Sequence, residues 1–272
     1  MFALLLAVAP ALCAQAPRFR PNPSYVPGGK PDQAEGARVL SQFRSAGIDG
    51  TYWLSFELRV MPRKGDERTL EGQLFGARGS DGPLTRLALE NERWLIQGGP
   101  QPAAWTAASG QPSREATTAE TLQPIAGTDL TLFDLQMPFL NWTDFVHEGL
   151  TKVRARPAHQ LLLYPPADFA KARPELTGVR IYIDTQFQAL VQVEQLGPDG
   201  KPVKGMTLID LKKVGEQWLV KSIDLRNNLT RDKTRLTFKA AALDLVLPAD
   251  TFAPAKVGEP LPPVPREKIQ GL

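Results

Sequence analysis

From Thr51 onward the chain repeatedly alternates apolar and polar residues, and this pattern most narrows what it can fold into. In "TYWLSFELRV" Leu54, Phe56, Leu58 and Val60 share one face of an extended strand, while Ser55, Glu57 and Arg59 share the other. "TLEGQLFGAR", "PLTRLALEN" and "RWLIQGG" continue the rhythm, with the turn "GSDG" between the first two. After residue 144 it resumes in "FVHEGLTKVRARP", "HQLLLYPP", "GVRIYIDT", "ALVQVEQLG", "KGMTLIDLKKV", "QWLVKSIDLRNN" and "TRLTFKAAALDL". "GPDGKP" and "GEQ" are hairpin links. No βαβ rhythm and no glycine-rich phosphate loop interrupts the series. The pattern predicts a mostly β (α+β) chain. Its single, strongly curved antiparallel sheet has about ten or eleven strands and forms an unclosed barrel with few helices.

Three stretches break the alternation. "AEGARVLSQFRSAG" places Ala37, Leu40, Phe43 and Arg44 at helical spacing and predicts a short amphipathic helix over 33–46. "PPADFAKARPEL" predicts a brief helical excursion. Residues 99–128 are dense in small residues and predict a long connection with little regular structure.

The segment "DLTLFDLQMPFLNW" at 129–142 is different again, because it is apolar but neither alternating nor continuously helical. Thr131 and Asp134 form the sequence of a capping box, and Pro138 must end or kink the helix that follows. Two short helical turns laid across the concave face of the sheet account for both features. A lid of this kind points its apolar side chains inward. Where lid and sheet meet imperfectly, an apolar gap would take acyl chains, at about 0.8 kcal/mol per buried methylene. Trp53, Phe56, Phe75, Trp94, Leu132, Phe133, Phe139 and Trp142 are the expected lining of that cavity or lid.

Polar chemistry is sparse. His147 and His159 are the only histidines, without Cys or carboxylate partners at ligand spacing, so no metal site is expected. No nucleophile elbow is present, and Glu57, Glu71 and Asp184 read as the wet faces of strands rather than a hydrolytic pair. Arg231, Lys233 and Arg235 could meet an anionic head group, but read first as a charged strand edge that blocks unwanted pairing. Charged residues are interspersed and the net charge is only +3, which does not describe a nucleic-acid footprint. A non-enzymatic chain with no cofactor, no metal and no nucleic-acid partner is the expectation, most simply a monomer.

The N-terminus carries an apolar run of about a dozen residues, too short to span a bilayer. It predicts a signal peptide over 1–16 ending in Ala14-Gln15-Ala16, with a cut after Ala14 as the alternative because Pro17 follows. Cys13 would be lipidated only in a lipobox, and the bulky Leu12 argues against one. Export makes the periplasm the expected compartment, with outer-membrane association open. A Pro/Gly-rich leader (17–34), a main domain (35–254) and a Pro-rich tail (255–272) complete the division.

"GTDLTLFDLQMPFLNW", the "YID…LVQVE…DGK" hairpin and the "WLVKSID…TRDKTRL" strands resemble the outer-membrane lipoprotein-sorting proteins of the LolA-like superfamily. The resemblance covers roughly 120–245, with looser agreement over 36–98. It implies an unclosed barrel with a helical lid over an apolar cavity. It also implies a carrier of lipoprotein acyl chains or other lipid that works with envelope transport proteins. The alternative on the same fold is an envelope interaction or sensor module with a filled cavity and a protein partner.

Overall fold

The computed structural model describes residues 19–26 and 28–272, so the segment expected to be a signal peptide (1–16), with Cys13, lies outside the described residues. Helix α1 (Gln33–Ser45) begins at Asp32, whose carboxylate accepts the N–H groups of Ala34 and Glu35. Then come β1 (Tyr52–Met61), β2 (Arg68–Gly79), β3 (Gly82–Leu89), β4 (Glu92–Gln97), β5 (Ala103–Ala108) and β6 (Arg114–Glu115). Helices α2 (Thr118–Thr121) and α3 (Leu132–Gln136) lead to β7 (Phe145–Val153) and β8 (Arg156–Leu163). After α4 (Ala167–Ala172) run β9 (Gly178–Asp184), β10 (Leu190–Leu196), β11 (Pro202–Val214), β12 (Gln217–Asn227), β13 (Lys233–Ala242) and the two-residue β14 (Gln270–Gly271).

All pairing is antiparallel and belongs to one sheet, ordered β6-β5-β4-β3-β2-β1-β13-β12-β11-β10-β9-β8-β7, with β14 on β13. The end strands β6 and β7 do not pair, so the barrel is unclosed. They are also consecutive in the chain. The connection from residue 116 to 144 must therefore cross from one free edge of the sheet to the other, and it does so over the concave face.

The sheet has fourteen strands among the described residues, against an expected ten or eleven. Part of the difference lies in 99–128, expected to be irregular. "AAWTAA" there forms β5, paired with β4 from Glu92↔Ala108 to Gln97↔Ala103. Its alanines have little strand propensity, and the ladder supplied by β4 decides its conformation. Arg231, Lys233 and Arg235 are not an edge either. β13 is a central strand between β1 and β12, and Lys233 and Arg235 both pair with Asp224, at 2.7 and 2.6 Å.

Alternation sorts the apolar residues onto two faces. Leu54, Phe56 and Leu58 face inward and cluster with Leu74, Leu87, Leu89, Trp94 and Ile96. The inner face of the other wing packs Leu161, Leu163, Val179, Ile181 and Val193 against Val39 and Leu40 of α1. The convex face is covered at both ends of the chain. Leader residues 19–26 lie on the β7–β9 wing, where the Tyr164 hydroxyl donates to the Pro21 carbonyl. Residues 243–264 fold back over the other wing, with Leu245, Phe252, Leu261 and Val264 on Trp53 and Phe75, and a fully buried Val257 against Leu95 and Ala107.

Arg86 holds this C-terminal segment down. Its guanidinium, buried on β3, donates to the carbonyls of Thr251 (3.1 Å), Glu259 (2.8 Å) and Lys256. Burial lowers its pKa, partly offset by Glu259 and Asp250. Replacement by methionine relieves that desolvation while stranding carbonyls, so the net loss should be modest, about 1–2 kcal/mol. Limited proteolysis should nevertheless cut Arg86→Met within 243–264 before the sheet. Equal cutting of wild type and variant would refute this anchoring role.

Candidate functional site

Segment 129–142 forms the expected lid. Thr131 caps α3 in a reciprocal box: its hydroxyl accepts the Asp134 N–H, while the Asp134 carboxylate accepts the Thr131 N–H at 2.9 Å. Met137 adopts a left-handed backbone (φ 47°) that stops the helix, and Pro138 opens a turn of 3-10 helix, Pro138–Asn141. The kink demanded by Pro138 splits the lid's apolar load into two directions. Leu132 joins the cluster of Phe56 and Trp94 over β1–β4. Phe133, Phe139 and Trp142 join the cluster over β8–β10. There Phe133 stacks on Phe169 from the α4 region (5.4 Å between ring centroids), and Trp142 tilts onto the same ring at 5.4 Å.

Six of the eight expected lining residues thus meet on the concave side in two adjoining clusters. Trp53 and Phe75 do not. They oppose each other in the β1–β2 register one residue out of phase with Leu54 and Leu74, and so face the C-terminal segment on the convex side. A one-residue step along a strand reverses the face, whatever the side chain's hydrophobicity.

Polar contacts pin the lid to four parts of the fold. Asp129 exchanges hydrogen bonds with the fully buried Thr234 hydroxyl on β13, both at 3.1 Å. The Gln136 amide donates to the carbonyls of Gln97 and Ala103. Arg44 of α1 donates to the Leu140 carbonyl at 2.5 Å. The most buried contact is made by Asp134, which also accepts from the Gln195 amide (2.8 Å) and the Lys204 ammonium. Asp134 and Gln195 are 5% and 7% exposed, and the Lys204 side chain 15%. The capping carboxylate therefore doubles as a latch between lid and sheet.

Beneath this latch lies a void of about 10 Å³ lined by Asp134, Phe139, Val193, Gln195, Lys204, Gly205 and Met206. That is space for one water, not a hydrocarbon chain. Phe139, Leu161, Leu163, Val179 and Ile181 are no more than 1% exposed, so they border no open cavity. The structure is a closed state in which the lid's aromatic side chains fill the concave face, and the expected gap at this interface is absent.

Lys204 and Gln195 were not anticipated. Lys204 lies in phase with the inward-facing Met206 on β11, and a lysine on an apolar face requires a carboxylate partner. That signal was available, but the partner, seventy residues away, was not. The two histidines also meet. The Asp32 N–H donates to His147 Nδ1 (3.1 Å), leaving His147 Nε2 to donate to His159 Nδ1 (3.2 Å), and Glu35 stands 3.8 Å from His159 Nε2. The pair anchors the start of α1.

Burial lowers the His159 pKa from its ordinary 6.5, and the neighbouring His147 lowers it further, against the pull of Glu35. A base whose folded pKa lies below its unfolded value binds fewer protons when folded. Its contribution to stability is therefore lost as pH falls below about 6.5. The urea midpoint should drop between pH 7.5 and 5.5, and the drop should shrink in His159→Gln. An undiminished drop in the variant would assign the pH dependence elsewhere.

Residues 104–258 match the model of a family described as "Uncharacterized protein". No curated protein matches the chain. Three solved structures share the fold. A DUF1329 family protein from Desulfovibrio piger is 12% identical with a TM-score of 0.71, over 82% of this chain and 98% of that one. An outer membrane lipoprotein-sorting protein domain from Vibrio parahaemolyticus is 15% identical with a TM-score of 0.70, over 80% and 95%. A LolA superfamily protein from Nitrosomonas europaea is 11% identical with a TM-score of 0.61, over 80% and 96%.

Proposed function

This chain belongs to the family matched over residues 104–258 and carries a LolA-like, lipoprotein-sorting fold. From that premise we propose that it is a non-enzymatic periplasmic carrier that shelters the acyl chains of a lipoprotein or another lipid beneath its lid. The observation that carries this reading is the lid itself. The concave face is largely apolar, with Lys204, Gln195 and Thr234 as polar points under the lid, yet its cover is a fourteen-residue crossing segment with two short helical turns and a central break. Swinging the lid out would vacate the places held by Phe133, Phe139 and Trp142 and offer an acyl chain the same lining, at about 0.8 kcal/mol per methylene buried. Leu132, Phe56 and Trp94 would line the adjoining part of the path. Opening costs the contacts of Asp134, which makes the latch the control point.

The packed interior favours a second reading, an envelope interaction module that keeps its cavity filled and binds a protein partner. A fluorescent fatty acyl probe separates the two. A carrier should take up the probe saturably, and Lys204→Met, which removes the cation holding the lid, should bind it more tightly. Absence of saturable uptake by both proteins would overturn the carrier reading and leave the interaction module.

A further inference from the structure

Three hairpins end side by side at the rim of the sheet remote from Lys204. The start of β8, just past the β7–β8 turn, is joined to the β9–β10 turn by the Thr185 N–H, which donates to the Pro157 carbonyl at 3.1 Å. The β9–β10 turn meets the start of β12 through Phe187 and Trp218, edge to face at 5.8 Å. The Arg156 guanidinium lies over the Phe187 ring, 4.7 Å from its centroid. These two aromatic side chains are 37% and 54% exposed, in a protein whose other described tryptophans are buried or half-buried. Neither contributes to either concave cluster.

The charge around them is one-sided. Residues 152–156, 184–189 and 212–218 carry the exposed Lys152, Arg154, Arg156, Lys212 and Lys213. Against these five stand Asp184, buried and 3.7 Å from Arg156, and Glu216, which pairs with Lys213 at 3.0 Å; Asp49 stands beside the patch, its backbone N–H held by Gln217. An exposed aromatic pair among long cationic side chains satisfies no need of the fold. A protein partner's hot spot calls for a shaped, water-excluding pocket. Rings at the tips of separate hairpins, flanked by lysine and arginine, instead suit the layered chemistry of a bilayer surface: aromatic side chains at the head-group level, cations on the phosphates.

We propose that this rim docks the protein on an anionic phospholipid surface, with Trp218 and Phe187 entering the head-group layer and Arg156, Lys212 and Lys213 meeting the phosphates, while Arg154 donates to the Leu208 carbonyl of β11 at 3.1 Å beside them. The inference goes beyond the carrier reading and stands whether or not a lipid enters beneath the lid, because the latch at Lys204 lies at the opposite end of β11.

Cosedimentation with vesicles tests it. The intact protein should bind vesicles of phosphatidylglycerol and phosphatidylcholine, bind pure phosphatidylcholine at least about tenfold more weakly, and lose affinity as salt is raised. Trp218→Ser should weaken binding about tenfold, and the double variant Lys212→Gln/Lys213→Gln by a similar factor. All three substituted side chains are exposed, and unchanged thermal unfolding would confirm an intact fold. The tryptophan emission should shift to the blue on binding, and the shift should vanish in Trp218→Phe. Acyl-probe behaviour should be the same in these variants as in wild type, which keeps the two tests independent. No binding to anionic vesicles, equal binding to neutral ones, or binding untouched by these substitutions would overturn the proposal. A surface reserved for a protein partner would give the first of these results.

Discussion

Replacing Glu148 by alanine should destabilise the protein by about 3–5 kcal/mol, the cost expected when one partner of a buried ion pair is removed. Glu148 is fully buried on the convex side of β7, at an irregular step where His147 and Gly149 take successive partners on β8. Its carboxylate accepts Arg180 Nε at 2.8 Å and Nη2 at 3.1 Å, the Gln160 amide at 2.8 Å and the Ser24 backbone N–H at 2.5 Å. The truncated site would leave Arg180, 12% exposed, with only Glu194 at 3.8 Å. It would also free the leader, whose Val26 N–H bonds the Glu148 carbonyl beside it. Chemical denaturation should show the loss as a lowered midpoint, and hydrogen exchange should rise over residues 19–26. Pairing Glu148→Leu with Arg180→Met should recover much of the stability, because the uncompensated charge disappears. A single variant within about 0.5 kcal/mol of wild type would show that this network is incidental.

The second large effect concerns the lid. Asp134→Ala removes the acceptor of the capping box, worth about 1 kcal/mol. It also strands the Lys204 ammonium and the Gln195 amide in a site that admits little water. With Lys204 partly able to reach solvent, the sum should be about 3 kcal/mol. The loss should be local before it is global. Amide exchange should accelerate across 131–142 while β8 and β9 keep their protection. Asp134→Asn keeps one carbonyl oxygen for the Thr131 N–H, turns an NH2 toward the Gln195 amide and discards the charge, and should fall between wild type and Asp134→Ala. If exchange in the lid is unchanged by Asp134→Ala, the aromatic packing of Phe133, Phe139 and Trp142 alone holds it, and the latch has no control over opening.

The two effects share a cause. An unclosed barrel has two free edges and two faces, and this chain manages each with a different segment: the lid on the concave face, the leader and the C-terminal segment on the convex one. Each segment is apolar where it packs and is fastened in part by a charged side chain of the sheet: Lys204 for the lid, Glu148 with its partner Arg180 for the leader, Arg86 for the C-terminal segment.

Much of this was legible from residue order. The alternation around Leu54, Phe56 and Leu58 determined the strands and their buried face, since the side-chain period of a strand depends only on neighbouring residues. The Thr131–Asp134 box and Pro138 determined that 129–142 is two short turns, because capping and proline geometry act within one helical turn. What only the tertiary structure decided was which distant groups meet. β5 exists because β4 lends it a ladder. Strand parity turns Trp53 and Phe75 outward, and that the C-terminal segment buries them there is decided only by the tertiary structure. His147 and His159, twelve positions apart on β7 and β8, touch because the hairpin register brings them together on one face. Lys204 finds Asp134 only once the lid has crossed from β6 to β7. Local periodicity is written in consecutive residues; the pairing of buried charges depends on register and chain crossing, which no short stretch of sequence encodes.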